Sequence, residues 1–394
     1  FYDCQSTWKC TNYYDFVRTE VKMVEFVRDR FYADVHLLIT EQGTGGGGSL
    51  YRLQFLGQKR FQNQNDTLEV SAAATATDEE VRKEFVKKIN LGMIKYVSKT
   101  DFAQYLTINF EVPKGDSIKK VEKDPWNYWV YSIGGNVNFN GDTNYSDNNY
   151  NANTNISRVT EDQKFSLWLG YNRNDNKYIY GKDTTRVSNK RINLYNEYGK
   201  SINQHWSIGA EVGASSSTFE NIKFRAKLTP KIEYSVFPYK DFNAKRLVFG
   251  YSIGPQFSVY NDTTIYFKKQ ELRGQQTAYA IASFTQKWGN INIGLDYSNY
   301  LHDFSINKFG LGGAIEWRIY KGLRLAMFGN FEFIRDQISL PKGNATRDDV
   351  LTRRRLIGSS FNYWAGTGIR YQFGSQNNSV VNPRFNGLNY SISF

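Results

Sequence analysis

Lys223, Arg225, Lys227 and Lys231 occupy alternate positions of "KFRAKLTPK", with Thr229 the one break in the series. Alternate residues of an extended chain share one face, so this stretch presents a row of cations able to attract an anionic solute along a pore. Arg191, Arg318, Arg324 and Arg370 fall on the same face of their own segments. So do Glu197, Glu211, Glu233, Asp296, Glu316 and Glu332. Two readings stay open: these charges pair and fill an interior, or they line an anion-favouring channel. Nucleophilic chemistry has a weaker basis. His302 in "NYLHDFS" has Ser298, Asp303 and Ser305 nearby, and hydrolysis needs a His base within hydrogen-bond reach of a nucleophile. That spacing is not diagnostic, and His36 and His205 lie elsewhere, so no catalytic residue is assigned. "GTGGGGS" lacks the Lys-Ser/Thr of a phosphate-binding loop and reads as a hairpin tip open to a partner. No metal site or cofactor is expected.

Strands must position these charges. In "KFGLGGAIEWRIYKGLRLAMFGNFEF", apolar and other residues alternate through two blocks joined at Lys321-Gly322. From Trp126 onward the pattern predicts twelve strands, the first over 127–141 and the last over 355–373. Short connections ("GKSINQ", "KWGN", "YKG") alternate with long ones ("NDNKYIYGKDTTRVS", "NDTTIYFKKQELRG", "LPKGNATRDDVLTRRR"). Short turns at one rim and long loops at the other are how outer-membrane barrels are organised. Trp129, Tyr131, Ile133, Val137 and Phe139, like Leu247, Phe249, Tyr251, Ile253 and Phe257, would then face lipid; a soluble β-sandwich would reverse the faces. No apolar run reaches the length of a transmembrane helix, which leaves strands free to span. The terminal "GLNYSISF" alternates like a thirteenth strand and conflicts with an even count.

Before this region, residues 1–120 read as a small α/β domain. Thr77 and Glu80 make a capping box for a helix with Val81, Phe85, Ile89 and Met93 on one face. "DFVRTEVKMVEFVRDR" suggests another helix, although its apolar spacing also permits a strand. "ADVHLLITEQ" and "SLYRLQFLGQ" suggest a hairpin, with "TLEVSA" and "QYLTINFEV" as further strands. The expected architecture is mostly β: an antiparallel transmembrane β-barrel of about twelve strands over 126–394, preceded by a small α/β periplasmic domain.

The first residue, Phe1, suggests a removed signal peptide. Cys4 and Cys10 are the two cysteines, and an oxidising periplasm would join them as a disulfide; two free thiols are the other reading. The net charge of +12 favours anionic partners. With no basic block, zinc-finger spacing or RNA-binding motif, nucleic acid is set aside in favour of outer-membrane lipid and lipopolysaccharide. Arg353, Arg354 and Arg355 are candidates for its phosphates. "DTL" and "DSI" make Thr67 and Ser117 candidates for O-glycosylation.

At "EYSVFPYKDFNAKRLVFGYSIGP", "NYLHDFSINKFGLGGAIEWRIYKGLRL", "IRDQISLPKGNATRDDVLTRRR" and "VVNPRF", the chain resembles the uncharacterised outer-membrane β-barrel family related to the salt-induced outer-membrane protein. "FVRDRFYADVHLLITEQGTGGGG" resembles the N-terminal module of members from Bacteroidota, whereas "NGLNYSISF" departs from the pattern. The resemblance implies a bacterial outer-membrane location and supplies no activity. The expectation is therefore an outer-membrane anchor whose N-terminal domain docks a periplasmic or outer-membrane protein, in an accessory or scaffold role. A narrow pore for small anionic solutes is the alternative, and a hydrolase acting at the rim a third.

Overall fold

The computed structural model describes residues 1–5, 8–108, 124–242, 244–320, 322–344, 346, 349, 352 and 354–374. Ser117, Arg353, "VVNPRF" and the Gly387–Phe394 tail lie outside them. The chain is mostly β, with two sheets of four and twelve strands.

The small sheet runs β1 (Tyr2–Cys4), β2 (Val35–Gly43), β3 (Ser49–Gly57), β4 (Asn65–Ala72). β1 lies parallel to β2, and β2–β3 and β3–β4 are antiparallel. Short helices α1 (Trp8–Asn12) and α2 (Tyr14–Glu20) precede β2. The long helix α3 (Asp78–Val97) packs on the sheet through Val81, Phe85 and Ile89. Tyr51 and Phe55 meet it from β3. Gly92 gives the Phe55 ring its room, because any Cβ there would enter the ring. Thr77 and Glu80 form the capping box at the start of α3. Cys4 and Cys10 are joined as a disulfide across a Cα separation of 5.9 Å.

Two expectations fail here. The helix proposed over 15–30 stops at Glu20, because its apolar residues suit burial under a turning chain, with Val21 and Phe26 both buried. "QYLTINFEV" does not begin as a strand. Asp101–Tyr105 is a 3₁₀ turn capped by the Thr100 hydroxyl, and the segment's end lies outside the described residues.

The large sheet is an antiparallel meander. Its strands are β5 (Trp129–Gly141), β6 (Tyr145–Val159), β7 (Gln163–Tyr180), β8 (Asp183–Ser201), β9 (Trp206–Ser217) and β10 (Ile222–Ser235), then β11 (Lys245–Tyr260), β12 (Gln270–Gln286), β13 (Gly289–Tyr300), β14 (Asp303–Tyr320), β15 (Leu323–Ile334) and β16 (Phe361–Tyr371). Every strand pairs with its sequence neighbours, and no ladder joins β5 to β16 among the described residues, so the sheet is not closed.

The loop alternation is weaker than the composition suggested. "NDNKYIYGKDTTRVS" is strand almost throughout, turning only at Gly181-Lys182. Its polar residues extend a hairpin rather than fill a loop, because a turn needs only Gly181, at φ +60°. The rim bearing that turn also carries the two longer connections 261–269 and 335–360, while the opposite rim has 236–244.

The faces are sorted strongly. On β11, Phe249 is 49 % exposed, with Tyr251, Ile253 and Phe257 close behind, whereas Val248 and Ser258 on the other face are buried. Ile133, Phe139, Leu228, Ile232, Leu295, Leu311 and Trp317 are likewise exposed. The apolar face is the outer one and the polar face the inner.

The capping box has a direct test. Replacing Thr77 with Ala should lower the stability of the N-terminal domain by about 1 kcal/mol, read as an earlier chemical-denaturation midpoint for the α3 signal.

Candidate functional site

The inner face divides into two walls. On β8 to β12 the charges are matched. Lys227 pairs with Glu211 and Lys231 with Glu197, which Lys164 also reaches at 3.4 Å. Tyr195 donates to Glu211 at 3.2 Å and Tyr279 to Glu233 at 3.0 Å. Apart from Lys164, these groups and Arg246 line a cavity of about 440 Å³. Three cationic and three acidic side chains stand around it, so the wall has no net sign.

The remaining charged residues separate into distinct places. Lys308 holds Glu332 at 2.8 Å, and Glu316 lies 3.8 Å from both Arg318 and Arg324. Asp296 faces inward against Gly310. Arg225 sits inward, opposite Ser258. Arg191 pairs with Glu220 at 2.5 Å. Lys223 leaves the stripe: the register shifts between Ile222 and Phe224, so Lys223 is the extra residue of a bulge. It is exposed at the rim, and buried Ile222 takes the inward place.

On β5 to β8 the inner wall is built of amides. Asn149, Asn151, Asn153 and Asn155 alternate along β6, opposite Asn172 and Asn174 of β7. Asn172 donates to Asn151 at 2.6 Å and Asn176 to Asn174 at 2.6 Å. Below them the Trp168 ring lies over Gly170, where a Cβ would strike it. Trp168 stands beside Tyr195 of the matched wall. This series carries a sequence signal of its own, asparagine at period two in "NYNANTN", but no charge to mark it out.

Both rims are crossed. At one, the 335–360 connection reaches from β15 to the β9–β10 turn, half the strand order away. Asn221 donates to the Ser339 carbonyl at 2.8 Å, the Leu356 amide to Phe219 at 2.9 Å, and the Lys342 amide to Thr263 at 2.7 Å. Ile338 buries itself with Tyr300 and Ile306. Arg355 is held in this connection by Asp349 at 3.3 Å and by the Asn344 carbonyl at 2.6 Å. Arg354 lies beside it.

At the opposite rim sits the N-terminal domain. Gln5 reaches the Gln286 carbonyl at 3.1 Å, and Arg28 the carbonyls of Phe373 and Gly374 at 2.9 and 3.1 Å. The Gly45 carbonyl takes the Ser157 hydroxyl at 3.2 Å. The β6–β7 and β12–β13 ends so bridged are again half the strand order apart. The glycine-rich tip therefore touches the chain's own rim, and Gly45 must be glycine because a Cβ would run into Val159.

The centre of this contact is electrostatic. Arg318, Arg324 and Arg370 are direct cross-strand neighbours, an arrangement that repels. Asp3 of β1 enters it and makes a two-pronged ion pair with Arg318. His36 bonds the same carboxylate at 2.7 Å, with both side chains fully buried. Burial would push the Asp3 carboxyl up, but hydrogen bonds from His36 and Arg318 and the Arg318 charge outweigh it and hold it at about 2. His36 therefore donates from Nε2. Its Nδ1 has no partner among the described residues, which suits a neutral ring, and burial pushes its pKa down despite Asp3.

His302 contacts the Arg273 guanidinium at 2.6 Å, while the Ser305 hydroxyl donates to Asp303. No serine hydroxyl bonds a histidine ring among the described residues. No group of His, Cys, Asp and Glu suited to a metal occurs among them either. Thr67 is exposed on the edge strand β4.

No protein-family model matches the chain, and no curated protein matches it. A solved structure titled "NanC porin structure in rhombohedral crystal form" aligns with a TM-score of 0.29 and 8 % identity, over 62 % of this chain and 99 % of that one.

Arg318→Met should loosen the domain by roughly 3–5 kcal/mol, because a buried carboxylate loses its counter-charge. Adding Asp3→Asn should recover part of that loss in a double-mutant cycle read by hydrogen exchange of β1 and β2. Acid should act in the same direction. Asp3 and His36 both titrate lower in the fold than their ordinary values of 3.8 and 6.5. Their contribution is thus complete above pH 6.5 and is lost as pH falls. Protection of β1 should weaken below pH 6.5 through His36, and fall again as Asp3 is protonated toward about pH 2.

Proposed function

We propose that this chain is a bacterial outer-membrane β-barrel forming a narrow, closable passage for small polar solutes, with its N-terminal domain lying across the periplasmic mouth. The observation that carries this reading is the inverted sorting of the large sheet, whose apolar face is exposed and whose charged face is internal and paired. A soluble monomer tolerates an exposed apolar patch of roughly 300–600 Å², and a belt running over most of twelve strands suits hydrocarbon instead. The unpaired edges of β5 and β16 would be untenable in a bilayer, so this reading requires the two strands to pair there. The resemblance to relatives of the salt-induced outer-membrane protein points to the same compartment.

A passage is favoured over a docking scaffold because the polar contacts of the N-terminal domain are made with the chain's own rim. The docking reading keeps one observation, the exposed Leu91, Phe102 and Tyr105, which would suit an envelope protein. The ion pairs along β8 to β10 argue against strong anion preference. A stripe whose Lys227 and Lys231 are neutralised by Glu211 and Glu197 supplies a polar wall rather than a positive potential.

The test is single-channel recording of the full chain in planar bilayers under a salt gradient. Small steps with a reversal potential near zero are expected, opening more often in Arg318→Met because the domain lies less firmly on the mouth. A silent bilayer from heat-modifiable protein, in both forms, would remove the passage and return attention to docking. Strong anion selectivity would reinstate the cationic stripe.

A further inference from the structure

We infer that the inner wall of β5 to β8 is a binding track for an uncharged saccharide. The inference rests on the passage reading and names what the passage takes.

The ladder is placed where a solute would enter. On the outer face of β7, Phe165, Leu167, Leu169 and Tyr171 give way to Arg173 and Asp175, which pair with each other at 2.8 Å. The apolar belt therefore ends near Tyr171, and β7 and β8 continue beyond it to the turn at Gly181. Asn174 and Asn176 line that projecting part, Asn172 and Asn151 lie level with the belt's edge, and Trp168 lies just inside it. The series descends from the mouth toward the cavity.

Its chemistry fits hydroxyl groups. A carboxamide offers two donors and two acceptor sites without charge, as does a sugar hydroxyl on a smaller scale. The bonds the amides make with one another leave much of this capacity unused. Asn136 and Asn138 of β5 are exposed on the same face, with no hydrogen-bond partner among the described residues. At the foot of the ladder Trp168 provides what amides lack, an apolar ring. It is 38 % exposed, it lies over Gly170, and its indole N–H has no partner among the described residues. A pyranose presents C–H groups on one face and hydroxyls around its edge, so a ring beside amides meets both parts. The ionised groups at the upper end of this wall are already engaged, Arg191 opposite Asn172 with Glu220 and Asp147 with the Asn174 amide, so a solute bearing a full charge meets no unpaired counter-charge among the described residues between Asn155 and Asn172.

The test uses the full chain, purified and heat-modifiable, with maltose, lactose and cellobiose as probes and sodium glucuronate as the charged control. Calorimetric titration reads binding and liposome swelling reads passage. Saturable binding of at least one disaccharide, weakened tenfold or more by Trp168→Ala and by Asn151→Ala/Asn172→Ala, is the expected result. Glu332→Gln, on the far wall, should leave it unchanged. Equal binding by wild type and both variants, preference for glucuronate, or no binding of any disaccharide by protein that swells liposomes would each overturn the track while leaving the passage intact. Disaccharide binding lost in the variants but with no swelling would sustain the track and overturn the passage.

Discussion

In a pleated strand, side chains take opposite faces in turn, and a slip of one residue exchanges them all. For this chain a slip would carry Lys227, Lys231, Glu197 and Glu211 to the outer surface and turn Leu228, Ile232 and Phe249 inward. Apart from Arg318 with Glu316 on one strand, the inner ion pairs join non-adjacent strands or diagonal positions of neighbouring ones, so they hold only if every ladder between them keeps its alignment. Lys231 reaches from β10 to Glu197 on β8, and Glu233 accepts from Tyr279 on β12. Pairing inside and apolar contact outside thus select the same register, and the walls, the cavity and both crossed mouths follow from it.

That agreement explains what could be read in advance. The twelve strands of the large sheet were legible because alternation recurs through them, and the capping box at Thr77 because its signal is local. The disulfide was one of two readings of Cys4 and Cys10, and the structure selects it. Elsewhere the local signal was indecisive. Polar residues at 174–188 looked like a loop, but hydrogen bonds with neighbouring strands make them a hairpin extension. Lys223 shared the parity of the stripe until a bulge removed it. The pairing of Asp3 with Arg318 has no sequence signature, since nothing in "FYDC" marks it as the counter-charge of a distant arginine row.

The amide ladder and the ionic wall divide the interior by chemistry. One side holds groups that satisfy one another in full charge; the other holds mostly neutral groups with bonding capacity to spare, its Arg191 and Asp147 being already engaged. Ion pairs resist being opened because each leaves a charge behind, whereas amides exchange partners at modest cost. The first wall is suited to keeping its shape, and the second to admitting something that competes for its hydrogen bonds.

The bond between Asp3 and Arg318 joins residues 315 positions apart. Closing so long a loop in an unfolded chain is slower than forming any hairpin of the meander. Arg318 also acquires its neighbours only when β14, β15 and β16 have assembled. The contact of β1 with the barrel rim, although Asp3 is made long before Arg318, is therefore among the last to form. The Asp3–Arg318 pair can close only after the final strands are in position, so a firmly seated N-terminal domain reports that the sheet behind it is complete.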